Sequence, residues 1–197
     1  MARTIPRVTL RGEIRSGAPL LVLAVQEEAA HLGGDLPVLL TGMGKVNAAT
    51  AVATALASGP KPSLVLNLGT AGALRPGWAG VHEIGTVLQH DLDTELLRTL
   101  TGQIYGAPLT LGTRTAVLAT GDTFVAEEAA RVRLARQADL VDMEGYAVAW
   151  AAARAGVPCR LVKRVSDEAG EGADRAWRDA VDDCARDLAD WVRREFA

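Results

Sequence analysis

The stretch SLVLNLGTAGAL, residues 63–74, decides the fold class of this chain. Its first half is an uninterrupted apolar run of the kind that lies buried in a sheet, and its glycine-rich second half we interpret as the end of that strand. Similar apolar runs lie on both sides of it: LLVLAV (20–25), LPVLLT (36–41), GTVLQHD (85–91), TAVLATGD (115–122) and PCRLVKRVSD (158–167). Stretches of helical character alternate with these strands, so the sequence predicts an α/β protein.

Four stretches predict helices, and one of them is TELLRTLTG, residues 94–102. VNAATAVATALASG, residues 46–59, is rich in small residues on all sides and stops at a Gly-Pro pair. DMEGYAVAWAAARAG, residues 142–156, is closed by a glycine, and residues 174–196 form a long amphipathic stretch. Ligands of open α/β sheets gather where strands end, so we expect the functional site at the polar or glycine-containing strand ends.

The composition limits the class of partner. With 197 residues, 49% hydrophobic and 23% charged, we expect one domain over residues 1–197 and a small-molecule partner. A net charge of -3 argues against nucleic acid, and the sequence predicts no membrane segment and no secretion signal. The 2 cysteines and 3 histidines share no ligand-like spacing, so we expect no structural metal and a location in the reducing cytoplasm.

Acidic side chains stand where a plain core would avoid them. Glu28 follows the first apolar run directly, and Glu144 lies at a strand-to-helix junction. Asp167 ends the last strand, where a period of two places it on one face with Lys163 and Val165. Plainer interpretations stay open: a solvated acidic turn for the first, a carboxylate at a helix start for the second, an ion pair or cap for the third.

Six motifs in order resemble the nucleoside phosphorylase/nucleosidase superfamily, most closely the methylthioadenosine/S-adenosylhomocysteine nucleosidases. They are AVQEEAAHL (24–32), TGMGKVNAA (41–49), NLGTAGAL (67–74), ATGDTFV (119–125), VDMEGYAVA (141–149) and VKRVSDEA (162–169). The resemblance implies three α/β/α layers around a central mixed twisted sheet. It also implies a cofactor-free cleavage of the bond between purine and ribose, and a homodimer.

The resemblance also assigns roles. Glu28 matches the general base for the attacking water, Glu144 the glutamate that holds the ribose hydroxyls, and Asp167 the acid that protonates the purine. Such roles suit an oxocarbenium-like transition state, which gains from a protonated leaving base and from anions near the sugar. The residues expected to bind the substrate by the same resemblance are Thr70, Ala71, Gly72, Phe124, Val125, Met143, Lys163 and Ser166.

Three departures from the family pattern bear on these roles. Lys163 stands where the nucleosidases carry an arginine near the water, so a point charge replaces a bidentate fork. After residues 85–93 the chain enters the stretch TELLRTLTG almost at once, so a segment that helps to form the 5′ pocket and the dimer looks deleted. The chain also begins before the family's first strand, and residues 1–18 could form an extra strand or arm.

Other functions stay open at this point. A purine nucleoside phosphorylase would need a phosphate site, yet the chain places Glu28 near the first strand end and no arginine in residues 67–74. A futalosine-type hydrolase of the same superfamily is a second alternative, because the apparent deletion falls in the region that recognises the 5′ group. A catalytically inactive nucleoside-binding protein is the alternative from another class, and the joint presence of the three acidic residues argues against it.

Overall fold

The computed structural model describes residues 8–196; residues 1–7 of the predicted N-terminal arm and residue 197 lie outside the described part. Its strands are β1 (Thr9–Arg11), β2 (Pro19–Leu23), β3 (Val38–Leu40), β4 (Leu64–Ala73), β5 (Val81–Gln89), β6 (Leu109–Thr110), β7 (Ala116–Thr120), β8 (Leu140–Asp142) and β9 (Cys159–Asp167). Its helices are α1 (Lys45–Ala57), α2 (Thr94–Thr101), α3 (Glu128–Leu134), α4 (Gly145–Ala155) and α5 (Ala173–Glu195). None of these helices is both long enough and apolar enough to cross a membrane.

The strands form one mixed sheet in the order β1-β3-β2-β4-β8-β7-β5-β6, and β9 pairs with both β4 and β5. The strand β2 runs parallel to β3 and β4, whereas β1 is antiparallel to β3 and β9 is antiparallel to β5. Because β9 joins β4 to β5, the strands β4, β8, β7, β5 and β9 close into a ring. The predicted α/β class with a mixed sheet is confirmed, and the ring is an addition that apolar runs alone do not reveal.

The side chains of β2 show how the layers are arranged. Leu20 and Val22 pack in one cluster with α1 and α4, while Leu21 and Leu23 pack in another with the last turns of α5. Since successive side chains of a strand point to opposite faces, the sheet lies between these two helical layers. The fold is therefore built as α/β/α layers.

The strand β4 includes the glycine-rich half of residues 63–74 and ends within it, at Ala73. Close packing explains these glycines. A Cβ atom added at Gly69 would lie 3.2 Å from Oε1 of Glu28 and 3.3 Å from Nζ of Lys163. One added at Gly72 would lie 3.0 Å from Oδ1 of Asp167. Glycine within β4 thus makes room for ionisable side chains from neighbouring elements.

The helix predicted over residues 142–156 begins later, at Gly145, because Asp142 belongs to β8. Two strand side chains satisfy the first amides of α4. A carboxylate oxygen of Asp142 accepts from the Gly145 amide at 2.8 Å, and the Thr120 hydroxyl accepts from the Tyr146 amide at 3.0 Å. These bonds replace the water or capping residue that a helix start needs, and they fix Glu144 directly before α4.

The connection from β5 to α2 is short, as the sequence predicts. The Asp93 carboxylate accepts from the Leu96 amide, and Gly102 ends α2 in the left-handed conformation at φ 72°. No residue of α2 is buried, and Leu96 and Leu100 are 52% and 70% exposed. The helix therefore contributes little to the core of the described chain.

Candidate active site

A cavity of about 230 Å³ lies where β2, β4, β8 and β9 end and where α5 begins. The acidic residues on its wall are Glu28, Asp142, Glu144, Asp167 and Asp174, and the other polar or charged ones are Thr70, Thr123, Ser166, Trp177 and Arg178. The remaining wall is formed by Ala24, Met43, Ala71, Gly72, Phe124, Val125, Val141 and Met143. The cavity thus combines an apolar lining with several carboxyl groups that converge on it.

Glu28 reaches the cavity from the turns that follow β2, and it is only 5% exposed. Its Oε1 atom accepts from the Thr70 amide and from the Thr70 hydroxyl, each at 2.8 Å. Its Oε2 atom is buried and has no hydrogen-bond partner among residues 8–196. One carboxylate oxygen is therefore held in place, while the other has acceptor capacity that no group of the described chain uses.

Lys163 lies behind this wall and not on it. Its Nζ atom is 2.9 Å from Oδ2 of Asp142, and both side chains are almost completely buried. Burial alone disfavours the ammonium form, but the carboxylates of Asp142, Glu144 and Glu28 outweigh it and hold the pKa of Lys163 above its ordinary value. We therefore place Lys163 beneath the site as a counter-charge, whereas the sequence predicts it among the substrate-binding residues.

Glu144 is held at the edge of the cavity by the start of another helix. Its Oε1 atom accepts from the amide of Gly44, the residue before α1, at 2.7 Å. This carboxyl group thus occupies the start of α1, where the free amides of a helix favour an anion. Burial, reinforced by the nearby Asp142 carboxylate, raises the pKa of Glu144 to about 8.

We expect Glu144→Gln to become more stabilising, relative to the wild type, as pH rises. Glu144 binds its proton more tightly in the folded chain, where its pKa is about 8, than in the unfolded chain, where its pKa is near 4.5. The free energy of unfolding therefore falls as pH rises from the lower value to the higher one. The free energy of unfolding should decrease by up to about 1.4 kcal/mol per pH unit between pH 6 and 8 from this group. Urea unfolding of both proteins at pH 6, 7, 8 and 9 measures the difference.

Glu27→Gln is the matched control for this measurement, because Glu27 is exposed. Its difference from the wild type should not vary with pH in the same range. A Glu144→Gln difference that is equally constant would contradict the raised pKa of the buried carboxyl group.

A β-bulge brings Ser166 and Asp167 to the cavity together. Ala71 of β4 pairs with Val165 and Gly72 pairs with Asp167, so Ser166 is an extra residue in β9. The strict period of two predicts these neighbours on opposite faces, and the bulge breaks that period. The Ser166 hydroxyl lies 2.7 Å from Oδ2 of Asp167, to which it donates, and the Ala169 amide donates to Oδ1 at 2.8 Å.

The structure brings the residues predicted for the site together, except that Lys163 lies behind the wall. Glu28, Glu144 and Asp167 line one cavity, together with Thr70, Ala71, Gly72, Phe124, Val125, Met143 and Ser166. The wall residues that the sequence analysis misses are Ala24, Met43, Thr123, Val141, Asp142 and the α5 residues Asp174, Trp177 and Arg178. A tryptophan within a polar stretch of residues 174–179 is the one available signal for α5. Within residues 8–196, no group of three or more His, Cys, Asp or Glu side chains is placed to hold a metal ion.

Comparisons with known proteins support the resemblance that the six motifs indicate. The family model described as "Phosphorylase superfamily" matches residues 28–88 and 86–194. The chain belongs to the phosphorylase superfamily. A 5′-methylthioadenosine/S-adenosylhomocysteine nucleosidase from Anoxybacillus flavithermus is 32% identical over 71% of this chain and 70% of that protein. An aminodeoxyfutalosine nucleosidase from Campylobacter jejuni is 28% identical over 83% of this chain and 81% of its own length.

A solved member of the superfamily has the same fold. The S-adenosylhomocysteine nucleosidase from Streptococcus pyogenes, in complex with 5-methylthiotubericidin, is 25% identical with a TM-score of 0.74. The superposition covers 91% of this chain and 95% of that one. The predicted resemblance to this superfamily, and to its nucleosidases in particular, is confirmed.

Proposed function

We propose that this protein is a purine nucleosidase that hydrolyses the N-glycosidic bond of an adenosine-type nucleoside, such as methylthioadenosine or S-adenosylhomocysteine. The observation that carries the proposal is the convergence of Glu28, Glu144 and Asp167 on one cavity, each with different hydrogen-bond partners. Its relatives in the superfamily are nucleosidases, and nucleosidases are N-glycosyl hydrolases.

Each carboxyl group suits one part of the reaction. Water attacks C1′ and gives a proton to the unpartnered Oε2 of Glu28, while the C1′–N9 bond breaks and its electron pair leaves with the base. Asp167 protonates the departing purine at N7 and is itself held by Ser166. Glu144 accepts hydrogen bonds from the ribose hydroxyls, and in its carboxylate form it stabilises the positive charge that develops on the sugar.

The charges around the cavity favour water over phosphate as the nucleophile. Arg178 supplies the one guanidinium group among the described residues of the wall, and it already lies 2.7 Å from the Asp174 carboxylate. A phosphate dianion beside Glu28 would meet a carboxylate and not the arginine fork that such anions prefer. Hydrolysis therefore fits these residues better than phosphorolysis.

A substrate panel tests the proposal. The purified protein is incubated with adenosine, methylthioadenosine, S-adenosylhomocysteine, inosine, futalosine and 2′-deoxyadenosine, with and without phosphate, and the free base is quantified. We expect phosphate-independent release of adenine, with poorer turnover of the deoxynucleoside because it offers Glu144 one hydroxyl fewer. Release that requires phosphate would indicate a phosphorylase, and preference for futalosine the second hydrolase. Binding without any release would indicate an inactive nucleoside-binding protein.

We also propose that the protein works in the cytoplasm as a homodimer. Both cysteines, Cys159 and Cys184, are free thiols in the structure, which suits a reducing compartment. Val46 on α1, Leu100 on α2 and Trp150 on α4 are 75%, 70% and 45% exposed, which supports a protein contact on these helices.

A further inference from the structure

We propose that Trp177 is a positioning residue for the general base, acting through the Thr70 hydroxyl. This inference rests on the proposed function, because it takes Glu28 as the base. The indole Nε1 of Trp177 donates to Oγ1 of Thr70 at 2.9 Å, and that hydroxyl donates to Oε1 of Glu28 at 2.8 Å. The three side chains thus form one hydrogen-bonded chain from α5 across β4 to the turns after β2.

The direction of this chain is fixed by the chemistry of its first member. An indole nitrogen can only donate, so Thr70 must use an oxygen lone pair to accept from it. The hydroxyl has a single proton, and a carboxylate is the acceptor within reach on its other side. Trp177 therefore favours the one rotamer of the hydroxyl proton that points to Glu28.

This arrangement determines which oxygen of Glu28 can react. Oε1 already accepts from the Thr70 amide, and the hydroxyl is its second donor. Oε2, which is buried without a partner in the described chain, is the oxygen left to take the proton of the attacking water. Without the indole, the Thr70 hydroxyl could turn towards water or substrate, and the carboxylate would lose a donor that orients it.

The position of Trp177 indicates that it does more than line the cavity. Trp177 lies near the start of α5, whereas Cys184, Leu188 and Val192 anchor that helix in the core. A cavity wall needs only an apolar ring, which a phenylalanine would supply equally well. A phenylalanine lacks the N–H group that Trp177 donates to Thr70.

A double-mutant cycle tests the inference through turnover. The variants are Trp177→Phe, Thr70→Val and the double variant, measured with the substrate that the wild type cleaves best. We expect Trp177→Phe to lower kcat about five- to tenfold, the effect of one lost hydrogen bond, with a smaller change in KM. In the Thr70→Val background, Trp177→Phe should lower kcat no further, because the hydroxyl through which it acts is already gone.

Indole resonances provide a measurement that does not depend on turnover. The chain has 4 tryptophans, so a ¹⁵N-labelled sample shows four indole N–H signals, and Trp177→Phe identifies one of them by its loss. That signal should move upfield in Thr70→Val and stay near its wild-type position in Thr70→Ser. Thr70→Ser should likewise retain most of the wild-type kcat, and Thr70→Ala replaces Thr70→Val if the latter does not fold.

Two results would overturn the inference while leaving the proposed function intact. If the wild type releases base but the losses from the two single variants add, Trp177 is only a wall residue. If the signal of Trp177 is the same in Thr70→Val and in the wild type, the hydrogen bond itself is absent in solution. A wild type that releases no base from any nucleoside would instead overturn the proposed function, and the assignment of Trp177 with it.

Discussion

Replacing Asp167 by asparagine is expected to lower the turnover of purine nucleosides by about 10²- to 10⁴-fold while the fold stays intact. The amide keeps the shape of the side chain, and its oxygen can still accept from the Ala169 amide, as Oδ1 of Asp167 does. Ser166 can turn its hydroxyl to accept from the new NH₂ group. The amide cannot deliver a proton, so the purine must leave as an anion.

A substrate whose leaving group needs no proton makes this test specific. p-Nitrophenyl riboside releases p-nitrophenolate, a stable anion that takes the electron pair of the broken C1′–O bond, so Asp167→Asn should cleave it at a rate close to that of the wild type. The matched control is Glu168→Gln. This change removes the carboxylate of the next residue along the chain, which is exposed and lies outside the cavity. Equal losses on both substrates would contradict the role of Asp167 as an acid, and so would near-normal release of purine.

Glu28→Gln is expected to lower hydrolysis by about 10²-fold or more while the nucleoside still binds. The amide oxygen can keep both bonds from Thr70, which places the NH₂ group where the unpartnered Oε2 lies. An amide nitrogen cannot accept a proton from water, so the nucleophile loses its base. Because the carboxylate contributes mainly in the transition state, kcat should fall much more than affinity.

Steady-state kinetics and calorimetry with a slowly cleaved nucleoside separate these two quantities. Glu27→Gln is the control, since this neighbouring glutamate is exposed and does not line the cavity. Turnover that survives in Glu28→Gln would place the base at another carboxyl group of the cavity. Loss of binding together with turnover would show instead that Glu28 holds the substrate.

The sequence predicts much of this site because its motifs are short and local. Glu28, Glu144 and Asp167 each lie beside an apolar strand, within motifs that carry the resemblance to the superfamily, and that resemblance assigns them to one site. Trp177 has no such signal, since its partner Thr70 is distant in sequence and only the packing of α5 brings them together.

The depth of a side chain is likewise hidden in the sequence. A period of two gives Lys163 and Asp167 the same face, but the bulge at Ser166 interrupts the alternation of side chains between them, so Asp167 pairs with Gly72. Lys163 then extends beneath Gly69, where the absence of a Cβ atom allows its ammonium group to reach the buried carboxylates. Runs of apolar residues also look alike in open and closed sheets, so the ring formed by β4, β8, β7, β5 and β9 has no counterpart in the pattern.

The strand β4 also sets the separation between the two ends of the reaction. Thr70, which holds the base Glu28, and Gly72, which pairs with the acid Asp167, are two residues apart on this strand. Two residues of β-strand span roughly 6.6 Å, a distance fixed by covalent geometry and not by side-chain packing. Lengthening β4 by a single residue between them would therefore add about 3.3 Å to this separation and turn the side chains beyond the insertion to the opposite face of the sheet, so that acid and base would no longer meet at one substrate.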